Sequence, residues 1–132
     1  MNLLITILIL LVALYLGFCF VINLIGKKWS VADRKFFQEN WTRIMSFSDQ
    51  KHAVMEADKL LDSVLKKRGY QGSLGEKLKR HGKVFSDLNG LWGAHKLRNK
   101  LAHELNFRLS EAEAKQAMRT FRKAFEDLGL FK

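Results

Sequence analysis

The chain has 132 residues, with 23 Lys plus Arg against 13 Asp plus Glu and a formal net charge of +10, and no charged side chain precedes Lys27. All the charge therefore falls in about 106 residues, enough for one small core. A single Cys excludes a disulfide framework or a zinc ribbon, zero Pro argues against a turn-rich secreted fold, and 48% apolar content excludes disorder.

The segment 2–26 reads NLLITILILLVALYLGFCFVINLIG. At about 1.5 Å per residue it exceeds the roughly 30 Å of a hydrocarbon core, which predicts a membrane-spanning helix. A cleaved signal peptide would carry Lys or Arg before a shorter apolar run and small residues at a cleavage site, and none of these is present. Lys27, Lys28, Arg34 and Lys35 follow the span, so the excess of positive charge predicts a single pass with the N-terminus outside and the C-terminal side in the cytoplasm. Trp29 with Lys27 and Lys28 suits the headgroup layer. Cys19 lies within the span and is given no chemistry. The expected organisation is an anchor over 2–26 and a cytoplasmic helical bundle over 27–132.

Beyond Ser30 the apolar spacing keeps a period near 3.6, which predicts an all-α domain. A first helix is expected over 31–45, opened by a Ser30/Asp33 capping box, with Phe37, Trp41, Ile44 and also Phe36 facing inward. A second covers about 49–67, with Val54, Ala57, Leu61, Val64 and Leu65 as its stripe and Gly69 as its stop. Ser73 and Glu76 then open a short helix carrying Leu74 and Leu78. The long central helix runs from about Ser86 to Leu105. A last one opens at Ser110 with Glu113 and carries Ala117, Phe121, Ala124, Phe125 and Leu128 to a stop at Gly129. The fold class is an N-terminal transmembrane helix followed by a compact bundle of four long helices and one short one.

The central helix breaks the rule that polar residues line wet surfaces. With about 100° per residue, Leu88, Leu91, Trp92, Ala102 and Leu105 fall within roughly 80° of His95, and so do Arg98, Asn99 and His103. Such polar groups need hydrogen bonds, solvent or a ligand. They could simply pin the packing, through His95 with Asn99 and Asn99 with His103 at i, i+4. They could also form a site.

The string Arg98-Asn99-Lys100-Leu101-Ala102-His103 resembles the signature of the HEPN superfamily, an Arg followed four to six residues later by a His, commonly with a polar residue directly after the Arg. The resemblance covers the helical region from Ser30 to Leu130. It implies a metal-independent endoribonuclease with no cofactor, or an RNA-binding relative without catalysis, and an active site shared across a homodimer. The membrane anchor departs from most of that superfamily.

The chemistry suits the residues. Metal-free RNA cleavage requires a group of pKa near 6 to 7 that moves a proton off the 2′-hydroxyl or onto the leaving 5′-oxygen, and a fixed cation for the phosphorane. His103 fits the first role and Arg98 the second. Asn99 could orient the imidazole or donate to phosphate, and His95 is a candidate second proton carrier or phosphate ligand. On a straight helix Arg98 and His103 diverge by about 140° and 7.5 Å, so the helix ends near Ala102 or a second copy completes the site.

Lys96, Lys100 and Arg108 are candidate RNA-binding groups around Arg98. Lys79, Arg80 and Lys83, and then Lys115, Arg119, Arg122 and Lys123, add further positive charge. The juxtamembrane cations also suit anionic lipid. No metal site is expected: His95 and His103 have the wrong spacing, the Cys is in the span, and His52 and His81 read as surface residues. Three readings stay open, namely a dimeric nuclease, a non-catalytic RNA- or protein-binding module, and a membrane scaffold that binds no nucleic acid.

Overall fold

The computed structural model describes residues 2–24, the last three by backbone alone, and 28–131. Its elements in chain order are α1 (Leu3–Leu24), α2 (Val31–Met45), α3 (Gln50–Lys67), α4 (Leu74–His81), a 3-10 turn (Gly82–Val84), α5 (Leu88–His103) and α6 (Glu111–Asp127). The described residues contain no strand. The architecture is thus an apolar helix followed by four long helices and one short one, as the periodicity implied. Across Leu3–Val21, α1 is long and apolar enough to cross a membrane, and none of that stretch is buried. Lys27, read above as a headgroup-layer residue, lies outside the described residues with the end of the 2–26 span.

The helices start where short polar side chains offer acceptors to free N–H groups. Ser73 with Glu76 and Ser110 with Glu113 form complete capping boxes. Ser30 accepts from the Asp33 backbone N–H, but Asp33 instead sends its carboxylate to Lys67 Nζ at 3.4 Å. α3 and α6 end in glycines at positive φ, Gly69 at 94° and Gly129 at 76°, a conformation that glycine adopts without steric cost.

α3 forms the centre, packed by α2, α4, α5 and α6. Val54, Ala57, Leu61, Val64 and Leu65 of α3 and Phe121 and Phe125 of α6 are fully buried. Trp41 of α2 closes on Phe125 edge-on, ring centroids 5.3 Å apart. Phe36, expected to face inward, is 58% exposed. Its neighbour Phe37 takes the core position, and Phe36 packs edge-on against it from outside.

One end of the bundle is fixed by hydrogen bonds distant in sequence. Trp29 Nε1 donates to the Leu128 carbonyl at 2.7 Å, and Arg68 Nη2 donates to the same carbonyl at 2.9 Å. The Arg68 guanidinium also lies 4.2 Å from the Trp29 ring centroid. Arg34 Nη1 donates to the carbonyls of Gly129 and Leu130, and Ser86 donates to the Asp127 carboxylate. At this end, therefore, α2 and α5 begin while α3 and α6 finish. It is also the end that joins α1.

Candidate functional site

α5 is capped one residue later than its sequence suggests. Asp87 Oδ1 accepts from the Gly90 N–H at 2.9 Å, because Ser86 is engaged by Asp127. The helix then buries Leu91, Ala94 and Leu101. The centre of that buried face lies roughly 80° to 100° from His95 on the wheel. Arg98 consequently points into the bundle's flank, His95 sits at the border, and Asn99 lies beyond it. Ala102, expected on the apolar face, is exposed, and Leu105, past the end of the helix, is 93% exposed.

The group that receives these side chains is Asp58, on the core-facing side of α3 and buried. His95 Nδ1 lies 2.8 Å from Asp58 Oδ1, and Arg98 Nε lies 3.5 Å from Asp58 Oδ2. An ionised carboxylate only accepts, so the imidazole donates through Nδ1 and Nε2 is left without that partner. Nε2 lies toward Gly75 of α4, where an added Cβ would stand 3.8 Å away from it. The Trp92 ring meets the imidazole edge-on at 6.1 Å between centroids. Arg98 Nη1 donates to Asn99 Oδ1 at 3.1 Å.

Asp58, His95, Arg98 and Asn99 thus form one linked cluster spanning α3 and α5. The i, i+4 bonds among His95, Asn99 and His103 are replaced by contacts with Asp58 and Arg98. His103 is not part of the cluster. It ends α5, exposed, and among the described residues its side chain makes no hydrogen bond or ion pair. Lys96 and Lys100 are exposed and line a groove between α5 and α6 with Gly93, Ala94, Gln116 and Arg119. Lys100 Nζ lies 5.9 Å from the Phe107 ring centroid, and Arg108 is exposed in the connection that follows. That connection turns at Asn106, whose φ is 63°.

Chemically, the arrangement is a buried anion that fixes two cation-forming side chains at the protein's edge. The Arg98 guanidinium, 29% exposed, can bond a phosphate with the edge Asp58 does not use. His103 is a free imidazole about 7.5 Å further along the axis. No group of three or more His, Cys, Asp or Glu among the described residues could hold a metal ion. Sequence reasoning missed Asp58. Its signal was an acid inside the α3 stripe, four residues after Val54 and three before Leu61.

Comparison of the chain with protein-family models, curated proteins and solved structures returns no match.

Proposed function

We propose that this chain is a membrane-tethered, HEPN-like helical module that acts on RNA as a metal-independent, homodimeric endoribonuclease, its bundle on the cytoplasmic face. The observation that carries the reading is the Asp58 clamp, which presents Arg98 and His95 at the rim of α5. A phosphodiester held by Arg98 would place charge where the guanidinium is already oriented. In the reaction the 2′-oxygen attacks the adjacent phosphorus, the bond from phosphorus to the 5′-oxygen breaks, and a 2′,3′-cyclic phosphate and a 5′-hydroxyl result. His103 moves one of the two protons in transit, and a second imidazole is available in His95. Because Arg98 and His103 diverge on one helix, a two-fold mate supplies the His that completes each Arg. Lys96, Lys100 and Arg108 extend the positive surface along the strand. The Lys28, Arg34 and Lys35 cluster after α1 supports the inside placement of the bundle.

One observation favours a second reading, a non-catalytic RNA-binding module: Arg98 already shares the charge of Asp58, and His103 stands apart from both. The test uses the full chain in detergent with end-labelled single-stranded RNA in EDTA. Cleavage to cyclic-phosphate ends that falls at least about 100-fold in both Arg98→Ala and His103→Ala is the expected outcome. Salt-sensitive binding without cleavage, weakened by Arg98→Ala alone, selects the second reading. A chain that neither binds nor cuts leaves a membrane scaffold.

A further inference from the structure

The end of the bundle that joins α1 carries a positive surface separate from the α5 cluster. Leu24 and Lys28 are four residues apart, so the chain between them spans at most about 15 Å. Beyond that short connection there is no free tether, because Trp29 is held by Leu128, Arg68 and Phe37. With α1 in a bilayer, the end that holds Trp29 must face the headgroups.

Residues from three separate stretches of sequence converge there. Lys28 precedes Trp29, and Lys66 and Lys67 finish α3 next to Arg68. Arg80 lies in the last turn of α4, where His81 stacks on Tyr70 with ring centroids 3.8 Å apart. Lys83 stands in the 3-10 turn, three residues before the Ser86 that bonds Asp127. All five cations are exposed. The acids nearby are engaged by other groups: Asp33 by Lys67, Asp127 by Ser86 and Asp87 by the Gly90 N–H. The side chains of Lys66 and Lys83 make no hydrogen bond or ion pair among the described residues. Two apolar side chains share this end, Val31 at 87% and Val84 at 43% exposure.

We infer that this end is a binding face for anionic phospholipid headgroups, with the exposed Lys28, Lys66, Arg80 and Lys83 as its cations and Val31 and Val84 as its apolar contacts. Charge complementarity and the short connection both point to the bilayer surface as the occupant. The bundle then lies directly on the membrane, with α5 rising from it so that His103 is the end of that helix remote from the lipid.

The inference rests on α1 spanning a bilayer, and the test separates the two. The full chain with Cys19→Ser is reconstituted into phosphatidylcholine vesicles, with and without phosphatidylglycerol. It carries one fluorophore, at Val84→Cys or, for reference, at Lys115→Cys near the start of α6. Spin labels on the headgroups should quench position 84 several-fold more than position 115. The excess should grow with phosphatidylglycerol and shrink in the Lys66→Gln/Lys83→Gln double variant. A chain that does not float with the vesicles overturns the anchor and this inference together. Flotation with equal quenching at the two positions, or with no dependence on anionic lipid, overturns the headgroup face alone. So does a double variant that keeps its lipid response but loses RNA binding, which would assign these cations to RNA.

Discussion

Two acids of α3 are each paired with a cation from a neighbouring helix, and they are built the opposite way round. Lys77 of α4 is 2% exposed and reaches Asp62, 40% exposed, at 2.8 Å. Asp58 is 6% exposed, and its partners are more open, His95 at 15% and Arg98 at 29%. In the first pair the cation is sealed and the anion meets water, so the pair ends there: Lys77 Nζ donates to the Asp62 carbonyl as well as its carboxylate. In the second the anion is sealed and its partners are the more open groups, so the Arg98 donors that Asp58 does not engage can meet a further anion. The first arrangement pins α4 to α3. The second is the one that can serve a ligand.

Removing the sealed anion should cost the most. Asp58→Ala strands His95 and Arg98 at the edge of the core and is expected to destabilise the bundle by about 3 kcal/mol, the low end for a broken buried pair because both partners reach solvent. Thermal unfolding of the full chain in detergent, followed by circular dichroism, measures it. A loss no larger than that of an ordinary surface substitution would erase the distinction between the two pairs. Lys77→Met keeps the buried stem and leaves Asp62 free to rehydrate, so stability should stay within about 1.5 kcal/mol of wild type, and the proposed RNA binding should be unaffected.

The smallest effect belongs to a carboxylate held by neutral donors. The Ser110 backbone N–H, and next its hydroxyl, hold the Glu113 carboxyl below its ordinary value of 4.5. A depressed folded value contributes stability above the unfolded pKa and loses it as pH falls through the folded one. Glu113→Gln should therefore flatten the acid limb of the melting temperature below about pH 4.5 and leave it unchanged in slope near neutrality. The Glu76 carboxyl, lowered in the same way by the backbone N–H and then the hydroxyl of Ser73, gives an independent check in α4.

Most of the fold was legible because the signals are local. Serine caps with an acid three residues on set the starts of α4 and α6, and glycines at positive φ set the stops of α3 and α6. The start of α5 was shifted because a tertiary contact, Asp127 with Ser86, decided which side chain was free to cap. The candidate site was legible only in part. His95, Arg98 and Asn99 announced themselves as polar groups near an apolar stripe, but the rotation of α5 is set by what α3 and α6 bury against it. That rotation carried Arg98 inward and left His103 in solvent. Asp58 and Lys77 were hidden for one shared reason: each sits at a stripe position, where sequence alone does not show whether a partner waits across the interface.

The clamp on Trp29 also bears on how copies of this chain would meet. A bundle on a long leash tumbles freely, and most encounters between copies bring the wrong sides together. With α1 in a bilayer, as proposed, a bundle joined to it by so few residues has less freedom to tilt, so neighbours in the same sheet would differ mainly by rotation about the membrane normal. Association then responds to surface density rather than to bulk concentration, and the orientational part of its entropy cost is already met. If copies pair through α5 as proposed, the crowding of anchors in a patch of membrane would raise the paired fraction.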